Sequence, residues 1–260
     1  MTRIDPTARI EDGAVIGDDV TIGPFCIVGS HARIGNGCNL VASVHIAGET
    51  TIGANATIYP FAVLGMAPQS LAHNGELTRL EIGKGCTIRE GVTMNAGTVA
   101  GGGVTRIGDR GYFMNNAHVG HDCIVGNDVI FASSATLGGH SEVGDQVFIG
   151  GLSAVHQRGR IGDQVMIAGV TGVRSDVIPY GFAIGPTAWL DGLNVVGMQR
   201  RQFTRARLQK VRRFYQQLFH GPGLFADRLR ELKQQPFDEP AISEIIAFID
   251  GGQKRPLCMA

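Results

Sequence analysis

The sequence has little of what marks several large classes of protein. Its charges cancel, 23 Lys+Arg against 23 Asp+Glu over 260 residues, so overall charge points to neither nucleic acid nor a membrane surface as a partner. No 18 apolar residues run together, and the opening "MTRIDPTARI" lacks the apolar stretch of a secretory signal. These absences lead us to expect a soluble, cytoplasmic chain with no stable membrane insertion. The five cysteines, Cys26, Cys38, Cys86, Cys123 and Cys258, form no CxxC pair, so neither a zinc site nor a disulfide framework is indicated, and no metal or other cofactor is expected. Glycine is plentiful instead: 38 residues, spread out rather than clumped, as in a repeat that uses glycine at set positions.

That repeat has a period of six. From Ile4 every sixth residue is aliphatic through Ile10, Ile16, Ile22, Val28, Ile34, Leu40, Ile46, Ile52 and Ile58 to Leu64. The phase resumes at Ile82, Ile88 and Met94, slips by one residue through "VAGGGVTR", and runs on from Ile107 through Phe113, Val119 and Val125 to Val173. Neither a 3.6-residue helix nor a two-residue strand alternation has this period, so short strands must alternate with turns in a solenoid. Four residues after each aliphatic stands a small side chain, as at Ala8, Ala14, Cys26, Ala32, Cys38, Ala117 and Cys123. Four of the five cysteines occupy this slot and read as small buried hydrophobes. Glycine often follows the aliphatic, where it is expected to permit a tight corner.

Two stretches break the rhythm, about 65–80 ("GMAPQSLAHNGELTRL") and 98–106 ("TVAGGGVTR"), and are expected to loop out of the solenoid as places for a site. From about Thr187 the pattern turns helical: Phe203, Leu208, Val211, Tyr215 and Leu218 form an apolar stripe, and "ISEIIAFI" suggests a further short helix. The expected division is a β-solenoid over 1–186 and an α-helical C-terminal domain over 187–260.

One segment, "NNAHVGHDCIVG", places His118, His121 and Asp122 within the hexads. With three hexads to a coil, residues about 18 apart lie in adjacent coils roughly 4.8 Å from one another, so His118, His121, His140 and His156 can converge along one side. Three readings fit such a cluster. The rings can fill an edge of the solenoid. They can bind a metal, which needs three converging imidazoles, although spacings of 3, 19 and 16 do not look like the carbonic-anhydrase branch of such repeats. Or one imidazole can act as a general base oriented by a carboxylate, a role for which His121 beside Asp122 has the ingredients.

The hexads resemble the hexapeptide-repeat acyltransferases, whose repeats wind into a left-handed parallel β-helix, a mainly-β fold. "IGPFCIVG", "GELTRLEIG", "NAHVGHDCIVGN", "ATLGGH", "GGLSAVHQ" and "RRQFTR" together resemble, over essentially the whole chain, the UDP-N-acetylglucosamine O-acyltransferase family of lipid A synthesis. The resemblance implies a homotrimer with its site between subunits, transferring a 3-hydroxyacyl group from acyl carrier protein to the 3-hydroxyl of UDP-N-acetylglucosamine. His121 matches the family's general base, Asp122 its partner, and Gly139 the residue whose N–H stabilises the oxyanion. Gln69, His118, His140, His156, Gln157, Asn194, Arg200 and Arg201 match substrate-contacting positions, and Gly169 a position that limits acyl-chain depth.

The chain departs from that pattern at Ala72, where better-known members carry lysine, and at Asn95 and Ala96, where they carry histidine and arginine. An altered acceptor with an amine at carbon 3 would accommodate both changes. A catalytically inactive trimeric scaffold is a further alternative, opposed by the retention of His121, Asp122 and Gly139. The segment from Gln199 to His220 holds Arg200, Arg201, Arg205, Arg207, Lys210, Arg212 and Arg213 and no acid; part of it is expected to dock the acidic carrier protein.

Overall fold

A computed structural model describes residues 1–252 and 255–260. Most strands are two residues long, one to each side of a triangular coil. Stacked coils place them in three sheets of 11, 9 and 8 strands among the described residues. Between coils the pairing is parallel and mostly keeps hexad register, as in Thr136↔Ala154 and Leu137↔Val155. The repeated aliphatics therefore stack directly: Ile22, Leu40, Ile58, Ile88, Phe113, Phe131, Ile149 and Ile167 form one fully buried ladder. No coil buries its own aliphatics alone; each is covered by the next. The end shows this, since Ile4 in the first coil is 47 % exposed.

The corners correct one expectation. They are occupied mainly by non-glycine residues in the left-handed conformation, among them Asp122 (φ 60), His140 (φ 60) and even the β-branched Val170 (φ 57). Where a glycine follows the aliphatic it mostly serves closeness rather than left-handed φ: a Cβ on Gly23 would lie 1.8 Å from the Val41 carbonyl oxygen of the next coil. All five cysteines are buried, Cys258 included, whose thiol approaches the Ala188 carbonyl.

Three stacks of corners run the length of the prism. One comprises residues 108–110, 126–128, 144–146 and 162–164 and carries a column of Asp and Asn (the Asx corner). A second exposes Phe25, Phe61, Leu152 and Val170 (the apolar corner). The third comprises 120–122, 138–140 and 156–158 (the histidine corner). Both excursions leave from this third corner, between strands Val63–Met66 and Arg79–Ile82, and between Thr93–Asn95 and Val104–Ile107. Four-residue strands at their roots absorb part of each stretch expected to loop out.

Past the hexads, strand Gly181–Ile184 continues the largest sheet and Trp189–Leu193 pairs with it antiparallel, so sheet structure extends beyond residue 186 and the helical pattern expected from Thr187 begins later. Helices then follow at Val195–Arg200 (α1), Arg205–His220 (α2), Phe225–Lys233 (α3) and Pro240–Asp250 (α4). Thr204 caps α2 by accepting from the Arg207 N–H, and α2 buries Leu208, Val211, Phe214, Tyr215, Leu218 and Phe219. α3 lies outside the two helical stretches expected from the sequence. The tail returns to the solenoid, where Cys258 N–H donates to the Asp176 carbonyl at 2.8 Å. Among the described residues no helix is long and apolar enough to cross a membrane.

Candidate active site at the histidine corner

Successive coils bring "GHD", "GGH" and "HQR" into one column, with Asp122, His140 and Arg158 at the left-handed position of each turn. The His140 N–H donates to the His121 carbonyl at 2.8 Å, and the Arg158 N–H to the Gly139 carbonyl at 2.9 Å. Gly139 therefore stacks on His121 and His140 on Asp122, an offset of 18. A Cβ built on Gly139 would lie 2.7 Å from His121 Cε1 and 2.8 Å from Nε2. Only glycine lets the imidazole lie over that backbone.

His121 Nδ1 is 2.8 Å from Asp122 Oδ2. A neutral imidazole in this arrangement carries its proton on Nδ1 and leaves the Nε2 lone pair free to accept one. Asp122 is buried, and its carboxylate also accepts from the Thr98 N–H (Oδ1, 2.7 Å) and the Thr98 hydroxyl (Oδ2, 2.7 Å). Burial pushes the Asp122 carboxyl upward, but the donors from Thr98 and His121 together outweigh it and hold it below its ordinary value. His140 Nε2 lies 3.6 Å from the same Oδ2, and its ring meets that of His121 edge-on at 5.0 Å. Burial lowers the His140 pKa, and Arg158 and His121 add to the effect against the pull of Asp122. Burial likewise lowers His118, whose Nδ1 is 2.7 Å from Thr93 Oγ1. The neighbouring Cys123 thiol is pushed up to about 12 by burial and is no nucleophile at neutral pH.

Both excursions wall the site. His121 and His140 line a cleft of about 340 Å³ with Ser70, Ala72, His73 and Glu76 from the first and Thr98, Val99 and Ala100 from the second. His73 Nδ1 pairs with Glu76 at 2.9 Å. The departing residues Asn95 and Ala96 are buried and hold the roots of the two excursions together: Asn95 Nδ2 donates to the Ala67 carbonyl at 2.7 Å and Ala96 N–H to that of Met66 at 3.0 Å. The ligating atoms of His121, Asp122 and His140 lie within 4.8 Å of one another. Both Asp122 oxygens already accept hydrogen bonds, however, so an ion would have to displace the Thr98 and His121 donors.

The remaining nominated residues divide. His156 and Gln157 occupy the same column one coil on, and Gln69 is exposed in the first excursion. Asn194, Arg200 and Arg201 lie at the Asx corner instead. Asn194 Nδ2 donates to the Gln164 carbonyl and its Oδ1 caps α1, while Arg201 donates to the Gln146 carbonyl at 3.0 Å. Burial, with Arg200 adding, lowers the Arg201 pKa. Gly169 sits at the apolar corner beside exposed Val170. One chain thus brings together the histidine-corner residues and leaves the other two groups apart. Thr98, Thr93 and Thr105, which accepts from the Asp122 N–H at 2.8 Å, were not singled out from sequence. The excursion hides the first pairing, because Thr98 and Asp122 are 24 apart, outside the 18-residue stacking rule.

A hexad solenoid with an imidazole–carboxylate pair at one corner defines a hexapeptide-repeat transferase, and residues 13–48 match the family model described as bacterial transferase hexapeptide (six repeats). Residues 176–258 match the model described as UDP N-acetylglucosamine O-acyltransferase, domain 2. A relative from Azorhizobium caulinodans, named acyl-(acyl-carrier-protein)–UDP-N-acetylglucosamine O-acyltransferase, is 57 % identical over 258 residues, covering 99 % of this chain and 95 % of its own length. A second of that name, from Rhizobium johnstonii, is 46 % identical over 255 residues, 98 % of this chain and 94 % of its own. The solved UDP-N-acetylglucosamine acyltransferase of Campylobacter jejuni superposes with TM-score 0.92 at 36 % identity, covering 99 % of this chain and 100 % of that one. The chain belongs to the UDP-N-acetylglucosamine O-acyltransferase family. Its solenoid is the left-handed parallel β-helix of a mainly-β fold with a helical C-terminal region.

Proposed function

We propose that this chain carries out the first step of lipid A biosynthesis, moving a 3-hydroxyacyl group from acyl carrier protein to the 3-hydroxyl of UDP-N-acetylglucosamine. The observation that carries the chemistry is the His121 ring, tied to Asp122 through Nδ1 and lying over Gly139. His121 Nε2 takes the proton of the 3-hydroxyl as its oxygen attacks the thioester carbonyl. The oxyanion that forms accepts from the Gly139 N–H, which has no acceptor among the described residues. The C–S bond then breaks and the carrier's thiolate leaves with the proton from the imidazolium.

His118, His140, His156, Gln157 and Gln69 surround the acceptor sugar, and Asn194, Arg200 and Arg201 bind the diphosphate end. Because these last three stand at another corner of the same prism, they reach the substrate only from a neighbouring subunit; the site is assembled between members of a homotrimer acting in the cytoplasm. Gly169, on the apolar corner with Leu152 and Val170, sets the depth available to the acyl chain. The carrier docks on the basic face of α2. Arg207 and Lys210 there are paired with Glu239 and Asp238, which leaves Arg205, Arg212 and Arg213 as its exposed arginines unpaired among the described residues.

A second acceptor has one observation in its favour. Among the described residues the cleft beside His121 is lined by Glu76 and His73 and by no lysine or arginine, with Ala72 where better-known members carry lysine. An amine at carbon 3 of the sugar suits such a wall better than a basic one. Mass spectrometry of products from a mixture of both acceptors and several 3-hydroxyacyl carriers decides it. An ester product is expected; an amide as the main product would replace the hydroxyl acceptor, and no transfer to either would end the reading.

A further inference from the structure

We propose that Thr98, in the second excursion, is a positioning residue for acyl transfer: it locks the Asp122 carboxylate in the orientation that holds His121. This rests on the reading of His121 as the base. Thr98 meets both oxygens of Asp122, through its N–H to Oδ1 and its hydroxyl to Oδ2, each at 2.7 Å. The hydroxyl has no freedom to turn elsewhere, because its oxygen accepts from the Gly101 N–H at 3.0 Å and its hydrogen is thereby aimed at Asp122. With the Nδ1–H of His121 also on Oδ2, the carboxylate is pinned from both sides.

The glycine run that follows is built around this lock, and its three members are glycine for two reasons. A Cβ on Gly101 would lie 2.1 Å from Asp122 Cγ, so no side chain fits between the excursion and the carboxylate. Gly102 and Gly103 have no neighbour that excludes a Cβ but take φ values of 97 and 79, which close the loop so that the Gly103 N–H returns to the Thr98 carbonyl at 2.7 Å. "TVAGGG" therefore reads as one hydroxyl, one clearance and one reversal of direction.

Thr98→Val removes the hydroxyl while keeping the shape and the backbone N–H. We expect kcat to fall about 10- to 100-fold, as for loss of a hydrogen bond to a charged group, with KM for the UDP-sugar within about twofold. The acid limb of the kcat/KM–pH profile should move to higher pH, because a carboxylate short of one donor is more basic and holds the Nδ1 proton more tightly. The other charged groups facing Asp122, His121 and His140 together with Glu142, Arg158, Arg160 and Arg255 across the adjoining cleft, are the same in parent and variant, so they do not account for a shift. Thr98→Ser should restore both rate and profile to within about threefold. Thr98→Ala, which deletes the hydroxyl and adds no bulk, should lower kcat and move the limb in the same way and decides the matter if the valine variant does not fold. Parental kcat and pH limb in Thr98→Val, or equal losses in the valine and serine variants, would overturn the proposal. His121→Ala, run alongside, keeps the two ideas apart: substantial turnover there sinks the base itself, whereas an inactive His121→Ala with a parental Thr98→Val sinks only the lock.

Discussion

Two corners of one prism show how a repeat becomes a site. At the position just before each left-handed residue, the Asx corner holds Asp109, Asn127, Asp145 and Asp163. Each of the last three caps the N–H of its counterpart one coil back: Asn127 Oδ1 accepts from Asp109 at 2.8 Å, Asp145 Oδ1 from Asn127 at 2.7 Å, and Asp163 Oδ1 from Asp145 at 2.8 Å. The histidine corner has the same turns, yet the equivalent residues are His121, Gly139 and Gln157. Gly139 has no side chain to cap His121, and the longer Gln157 makes no cap on Gly139 among the described residues. The backbone N–H that the Asx corner caps is thus left open at Gly139, beside the imidazole, where it is the donor proposed for the oxyanion. The coils themselves are the same at both corners; one omitted cap and one vacated side chain set the histidine corner apart, and the two excursions wall it.

The contrast can be broken by making the histidine corner resemble its neighbour. Gln157→Asp places an Asx oxygen where, by analogy with Asp145 above Asn127, it caps the Gly139 N–H. Turnover should fall about 10²- to 10³-fold, the usual loss of one oxyanion donor, with thermal stability unchanged or slightly raised. Parental kcat in that variant would mean that the Gly139 amide takes no part. The smaller effect comes from the other side. Asn127→Ala deletes the cap on Asp109 and should lower unfolding stability by about 0.5–1.5 kcal/mol in a denaturation curve while leaving kcat/KM at the parental level. A loss of activity there would show that the two corners are coupled through the coils.

Much of the fold was legible because the hexad period is enforced at every coil by stacking of Ile, Val and Leu, and small residues such as Ala117 and Cys123 fill the slots between them. His121 and Asp122 are neighbours in sequence, and the stacking of Gly139 on His121 lies within reach of the 18-residue rule. Three features lay beyond it. Thr98 pairs across an excursion whose length the period does not encode. Trp189–Leu193 forms an antiparallel strand where the hexads have ended and the sequence looked helical. Where a glycine follows the aliphatic, the reason is mostly the approach of the next coil's backbone, as at Gly23, which no single coil reveals. Asn194 and Arg201, matched by resemblance to substrate contacts, also bind the Gln164 and Gln146 carbonyls, a structural duty that spacing alone does not announce.

The role proposed for the histidine corner is to hold His121 as the base. It is tested most directly by single-turnover transfer from 3-hydroxyacyl carrier to UDP-N-acetylglucosamine in His121→Ala, with calorimetric binding of the UDP-sugar and thermal unfolding measured on the same preparation. The expected rate is lower by about 10²- to 10⁴-fold, with near-parental sugar affinity and stability. A folded, sugar-binding variant that turns over within a few-fold of the parent would contradict it.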